Sequence, residues 1–262
     1  MSQSSRPIHP LERPQPQPEP APQPSPVVVM QPKPVQPILT YALLAINVIV
    51  FALDYLLGHR LIMLGAKNNT LIMNGQYWLF FTPIFLHAGL IHLGVNSYSL
   101  YILGPSIERP FGHARFLILY LLSGVAGTIA SFALTPESSI GASGAIFGLA
   151  GGLMPFLFRN RQVFGEERSR RGMYQVLVVI ILNLVIGFAV QGIDNWGHVG
   201  GLLGGLAASW FMAPVYEVHR SPDGGQVTIE DTMPPQQPWI AAVALGWLLA
   251  AIALGLIMLR RG

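Results

Sequence analysis

Ser143 and His198 are the two side chains of this sequence whose type and setting allow nucleophilic chemistry, and each stands beside a glycine in a series spaced four apart. Ser143 lies in Gly141-Ala-Ser143-Gly144-Ala-Ile-Phe147-Gly148, with Gly152 continuing the series, and His198 accompanies Gly197, Gly201 and Gly205. Small residues four apart on apolar helices let two backbones approach closely enough for the side chains they carry to meet. A serine becomes a nucleophile when a neighbouring base takes its proton, and a neutral imidazole is the usual base. Glycine on both sides of the serine removes Cβ obstruction to a substrate backbone. The Ser143 N–H lies at a helix start, where amide donors lack intrahelical partners and can receive an anion. Phe147, four residues on, shares the face of Ser143 and can pack against an imidazole. Taken alone, the glycine string fits plain helix packing equally well.

A third group is His87-Ala-Gly-Leu-Ile-His92-Leu-Gly-Val-Asn96. His92 and Asn96 share one helical face, whereas His87, five residues before His92, does not. That spacing departs from the i, i+4 histidine pair of a helical zinc site, and no metal or other cofactor is expected. Neutral N–H donors from a histidine and an asparagine suit a developing oxyanion. Interhelical polar contact is the other reading of Asn96, as it is of His198. A histidine at membrane depth is costly unless it is paired or faces a wet cavity, which makes His198 a functional candidate.

These residues need helices in lipid to hold them. Hydrophobic residues make up 52% of the chain and charged residues only 10%, against the roughly one quarter charged that is usual in soluble domains. Apolar runs predict spans near residues 38–57, 90–107, 114–134, 143–158, 174–192, 196–213 and 239–259. The expectation is an all-α, polytopic membrane helix bundle: a six-helix core over 38–213, a linker over 214–238 and a seventh span in 239–262. Residues 1–37, dense in Pro and Gln, read as a disordered tail. The absence of cysteine excludes disulfides and thiolate chemistry. Arg159, Arg161, Arg168, Arg170 and Arg171 crowd one loop, and Arg109 and Arg115 another. The positive-inside rule puts both loops, the tail and the linker in the cytoplasm, and Ser143 and His198 toward the outside. Arg260 and Arg261 run against that rule. Basic loops of this kind account for the net charge of +3, and no nucleic-acid partner is expected.

In chain order, HxxxxHxxxN, GxSGxxxG and a late Gly-His-x-x-Gly resemble the rhomboid family of intramembrane serine proteases, over roughly residues 38–213. Glu108-Arg109 with Gly112 adds to the likeness. The resemblance implies a six-helix bundle with a deep-starting central helix, and an extra C-terminal span in a six-plus-one layout. It implies Ser143 as nucleophile, His198 as base, and His92, Asn96 and the Ser143 amide as the oxyanion hole, with transmembrane proteins as substrates. Asp194 is expected at the mouth of the site, which leaves a dyad whose imidazole is oriented by Phe147 and the glycine seam. Tyr77, Trp78, Phe80 and Phe81 read as an interfacial element. The family often shows Trp-Arg in this loop, whereas here Trp78 is followed by Leu79. Two other classes stand beside the protease: a His-relay transporter, which has no need of the glycines flanking Ser143, and an inactive client-binding relative, which generally lacks the serine or the histidine.

Overall fold

The computed structural model of the protein describes residues 28–30, 33–222 and 226–261, so that most of the Pro-rich tail lies outside the described residues. The helices are α1 (Ile38–Leu56), α2 (Arg60–Gly65), α3 (Asn69–Met73), α4 (Leu90–Phe111), α5 (His113–Leu134), α6 (Ser143–Arg159), α7 (Arg161–Phe164), α8 (Glu166–Ala189), α9 (Asn195–Met212) and α10 (Gln237–Arg261). Two 3₁₀ turns, Tyr77–Phe80 and Thr82–Phe85, lie between α3 and α4. By length and composition α1, α5, α8 and α10 can each cross a membrane, and α6 is apolar but has only 17 residues. Helix α4 carries His92, Asn96 and Glu108 among its apolar residues, and α9 carries Asn195 and His198. The chain is a polytopic helix bundle, as its composition predicts.

Helix α6 is the centre of the bundle, with α5 and α9 packed closely on it. The contact is made by backbone rather than by side chains. A Cβ at Gly201 would fall on the Gly144 carbonyl, one at Gly205 on the Gly148 carbonyl, and one at Gly148 on Ser123 of α5. Gly127 of α5 closes the third side, where a Cβ would lie 2.6 Å from the Gly197 carbonyl. One turn further along, Ser209 Oγ donates to Gly152 O at 2.6 Å. Toward the other end the same helices bury Phe116, Leu119, Tyr120, Leu149, Phe156 and Met212 in the main apolar cluster.

The outer helices are fixed by charges placed on backbone groups. Glu108, fully buried, accepts from Leu39 N at 2.8 Å, from Thr40 N at 2.7 Å and from Thr40 Oγ1 at 2.6 Å, and lies 2.6 Å from His113 Nδ1. An anion is favoured at a helix N-terminus by its unpaired amides, and here it ties α1 to α4 and α5. That use explains why α4 runs past the span end expected near 107 and includes Glu108, ending at Phe111. At the opposite end of the bundle Arg260 of α10 donates to Ala133 O at 2.9 Å, near the C-terminus of α5, and lies 4.6 Å from the centre of the Phe132 ring. Arg261 donates to Met73 O. Both arginines are thus held by the protein itself, whatever the charge rule prefers.

The segment 214–238, expected as a linker, contains an antiparallel pair, β2 (Tyr216–Arg220) and β3 (Gln226–Asp231), with β1 (Val28–Met30) parallel to β3 on its other side. Alternation of apolar and polar residues in Tyr216-Glu217-Val218-His219 and Val227-Thr228-Ile229-Glu230 supports these strands. Tyr216 anchors them, its N–H donating to Asn160 Oδ1 at 2.7 Å and its hydroxyl to Pro110 O at 3.1 Å. Helix α8, like α10, is little embraced, with only Ser169, Ile180 and Gly187 buried.

Substitution Gly201→Ala places a methyl group on the Gly144 carbonyl and has to push α6 and α9 apart. Overpacking of this kind costs about 1–3 kcal/mol. Thermal unfolding in detergent is expected to show a midpoint lowered by several degrees, and an unchanged midpoint would mean that the seam is looser than described.

Candidate active site

The loop from Thr135 to Ala142 turns back into the bundle before α6 begins. Ala142 is fully buried, and Gly141 N donates to Pro83 O at 2.9 Å. Gly141 has φ +133°, a conformation open to glycine, and a Cβ there would lie 2.7 Å from His92 Nε2. Glycine at this position therefore makes the turn and leaves room for the histidine. Ser143 follows as the first residue of α6.

His198 is reached from the other side of the seam. Asp194 caps α9, its Oδ1 accepting from Gly197 N at 2.9 Å and from Thr135 Oγ1 at 3.2 Å. One turn in, His198 Nε2 lies 2.9 Å from Ser143 Oγ. The imidazole stacks on Phe147, with ring centres 4.3 Å apart and planes 7° from parallel. Its Nδ1 has no hydrogen-bond partner among the described residues. Asp194 thus serves the helix cap and the preceding loop, while the flat face of Phe147 orients the imidazole.

Asn96, almost fully buried, donates from Nδ2 to His92 O at 3.0 Å, and Ala88 N donates to His92 Nδ1 at 3.3 Å. His87 is buried and packs its ring 5.2 Å from that of His92. Helical spacing predicts no such meeting, but His87 precedes α4 and the chain folds back through Ala88 and Gly89, so helix geometry does not apply to it. His92, Asn96, Ser143, Phe147 and His198 all border one groove of about 1070 Å³, whose far wall includes Asn183 and Ile186 of α8. A polar pit of about 30 Å³ beside it adds Gly141, Gly144 and Gly197 and shares Asp194 with the groove. Gly148 and Gly201 lie behind the site, in the seam.

Lys67, which the sequence did not single out, holds the loop that delivers Ser143. It is fully buried between α2 and α3, outside the spanning helices, and its Nζ donates to Thr135 O at 2.5 Å and Glu137 O at 2.8 Å. Its backbone pairs with Ser139 through N–H···O bonds of 3.0 and 3.2 Å. Burial pulls the Lys67 ammonium down to about 8; Asp194 and Glu137 act against this and Arg260 with it. A lysine among apolar residues gives no advance sign of which distant carbonyls will meet it. Leu79 is wholly buried in a cluster with Ile72 and Phe132, so the position after Trp78 is filled by core, and a cation that shapes the loop before Ser143 is Lys67.

A family model described as the Rhomboid domain matches residues 74–215. The chain is 43% identical over 179 residues to Rhomboid protease GluP of Bacillus subtilis (strain 168), covering 66% of this chain and 34% of that protein. It is 34% identical over 180 residues to Putative rhomboid protease YdcA of the same organism, covering 66% of this chain and 87% of that protein. A plant relative, RHOMBOID-like protein 6, mitochondrial, of Arabidopsis thaliana, is 33% identical over 205 residues, with 76% of this chain and 66% of that protein covered. The chain therefore spans about a third of the length of the first of these and most of the second.

Since the Lys67 value falls from 10.5 to about 8 in the folded chain, the unfolded chain binds the extra proton between those limits, and stability contributed by this residue rises with pH across that window. The melting-point advantage of the unmodified protein over Lys67→Met in detergent should grow between pH 8 and pH 10. A flat or shrinking difference would show that burial does not strain the ammonium.

Proposed function

This chain belongs to the rhomboid family and is an integral, multi-pass membrane protein, and from that premise we propose that it is a serine-type intramembrane endopeptidase working through a Ser143–His198 dyad. The observation that carries the reading is the 2.9 Å contact between His198 Nε2 and Ser143 Oγ across the α6–α9 seam. His198 takes the hydroxyl proton as Ser143 attacks a peptide carbonyl, and it returns the proton to the leaving amine. Water then attacks the acyl-enzyme, with the imidazole again acting as base. The oxyanion is met by the Ser143 N–H, by His92 and by the N–H of Asn96 Nδ2 that the His92 carbonyl leaves unused.

Substrates in this reading are transmembrane proteins whose helix unwinds locally, because a formed helix buries the scissile carbonyl in its own hydrogen bonds. The groove bordered by the start of α4 and by α8 is, in this reading, the way such a segment takes from the bilayer to Ser143. Residues 38–213 form the catalytic core, with α10 as a strap against α5 and α9. The basic end faces the cytoplasm together with the tail, and the site opens to the extracytoplasmic side. No cofactor takes part.

A fluorophosphonate probe should label the purified protein and not Ser143→Ala, and Ser143→Ala should leave a transmembrane reporter uncleaved. His198→Ala should lose activity to the same degree, with no further loss in the double variant, since the two act as a unit. Asn96→Ala should lower turnover by about 10²–10³ if it meets the oxyanion. Cleavage retained in Ser143→Ala would remove the nucleophile assignment.

A further inference from the structure

At the basic end of the bundle, far from Ser143 along α6, lies a second cavity of about 790 Å³ that the proteolytic reading does not use. The end of α4, the start of α5, the close of α6, helix α7, the start of α8 and the strands β2 and β3 all contribute to it. Its chemistry is divided. Arg109, Arg115 and Arg168 supply positive charge from three different helices, while Phe111, Leu157 and Phe164 make apolar walls.

The single carboxylate in this lining, Asp231, is already committed. Its Oδ2 accepts from Arg115 NH1 at 2.8 Å, and its Oδ1 accepts from Val215 N and Met233 N at 3.0 and 3.1 Å. Among the described residues neither Arg109 nor Arg168 is in a salt bridge. The deepest polar group is Ser169, with 1% of its surface exposed and its Oγ without a hydrogen-bond partner among the described residues. A buried hydroxyl left unpaired is costly, and an acceptor entering the cavity would relieve that cost.

From these features we propose that the cavity is a binding site for the phosphodiester headgroup of an anionic phospholipid, the phosphate held by Arg109 and Arg168 with Ser169 Oγ donating, and the glycerol and upper acyl chain lying along Phe111, Leu157 and Phe164. A phosphate anion matches the guanidinium fork. Free phosphate shares that chemistry but gains nothing from the apolar walls, whereas a glycerolipid uses both halves. The cavity also lies where the spanning helices end, at the level of headgroups. Helix α8 links the two regions: Arg168 and Ser169 in its first turn border this cavity, and Asn183 and Ile186 border the catalytic groove. Lipid bound here therefore bears on the helix that flanks the route to Ser143.

The test uses the full-length protein in a neutral detergent, titrated with dihexanoyl-phosphatidylglycerol, with dihexanoyl-phosphatidylcholine and with inorganic phosphate at matched ionic strength, the readout being the thermal midpoint. Phosphatidylglycerol should raise the midpoint saturably and the other two should not. Arg109→Gln/Arg168→Gln should weaken the effect by about 30-fold, at roughly fivefold for each cation removed near a charged surface. Arg170→Gln/Arg171→Gln removes the same charge outside the cavity and should leave it intact. Ser169→Leu, which removes the donor, puts apolar bulk in its place and keeps every cation, should also weaken the shift, and an unchanged shift would take Ser169 out of the site. Equal shifts from phosphatidylcholine or from phosphate alone, or equal losses in the two arginine pairs, would overturn the proposal in favour of an apolar cleft, a free-anion site or mere surface charge. Ser143→Ala protein should respond like the unmodified protein, so the outcome does not depend on the protease reading.

Discussion

The contact on which the structure depends is that of two peptide backbones, α6 and α9, touching with no side chain between them. In lipid, apolar side chains provide little drive for helices to associate, since hydrocarbon surrounds them whether they are together or apart. What favours this pair is the close fit of Gly144 and Gly148 against Gly201 and Gly205, which brings many atoms into van der Waals range and shortens the distance between helix axes. The two axes are then near enough for a serine and a histidine, both short side chains, to reach each other. Longer residues in the seam would leave Ser143 and His198 intact in sequence and out of reach in space.

Around this seam, four charged residues are placed on backbone termini. Glu108 receives the amides at the start of α1, Asp194 that of Gly197 at the start of α9, Lys67 takes the carbonyls after α5, and Arg260 takes one in the last turn of α5. Helix ends leave unpaired polar groups that lipid cannot satisfy. A chain poor in charge can still build precise loops if each charge is spent on such an end, and here the Lys67 and Asp194 contacts both converge on Thr135. The loop that leads to Ser143 and the cap that precedes His198 are thereby joined through one residue.

Much of this was legible in the sequence, and the limits are physical. Composition and apolar runs fix a helical membrane bundle, because a spanning segment has few alternatives. Glycines four apart encode the face that will meet another backbone, so the neighbourhood of Ser143 and His198 could be read from spacing. The i, i+4 rule also relates His92 to Asn96. It does not reach His87, which lies before the helix, and it carries no information on the contacts of Lys67 with the loop after α5 or of Glu108 with the start of α1, which lie 68 or more residues away in the chain. The β2–β3 pair was hidden for a different reason: its alternation is short, and strand pairing is decided by what the Tyr216 anchor finds at Asn160 and Pro110.

The imidazole of His198 leans on the ring of Phe147, and its far nitrogen is hydrogen-bonded to no carboxylate among the described residues. When such a ring accepts a proton, Asp194 acts on the cation only from a distance, its Oδ1 engaged at the cap of α9, whereas a buried aspartate bonded to the imidazole is worth about 10⁴ in turnover to a triad enzyme. On the proposed reading, acylation at Ser143 is therefore intrinsically slow. Slowness has a use among neighbours held at high density in a two-dimensional fluid: a stable membrane helix that brushes the groove diffuses away intact, and only a segment that lingers there unwound is cut. Selectivity would then reside in dwell time, with the bare nitrogen acting as the clock.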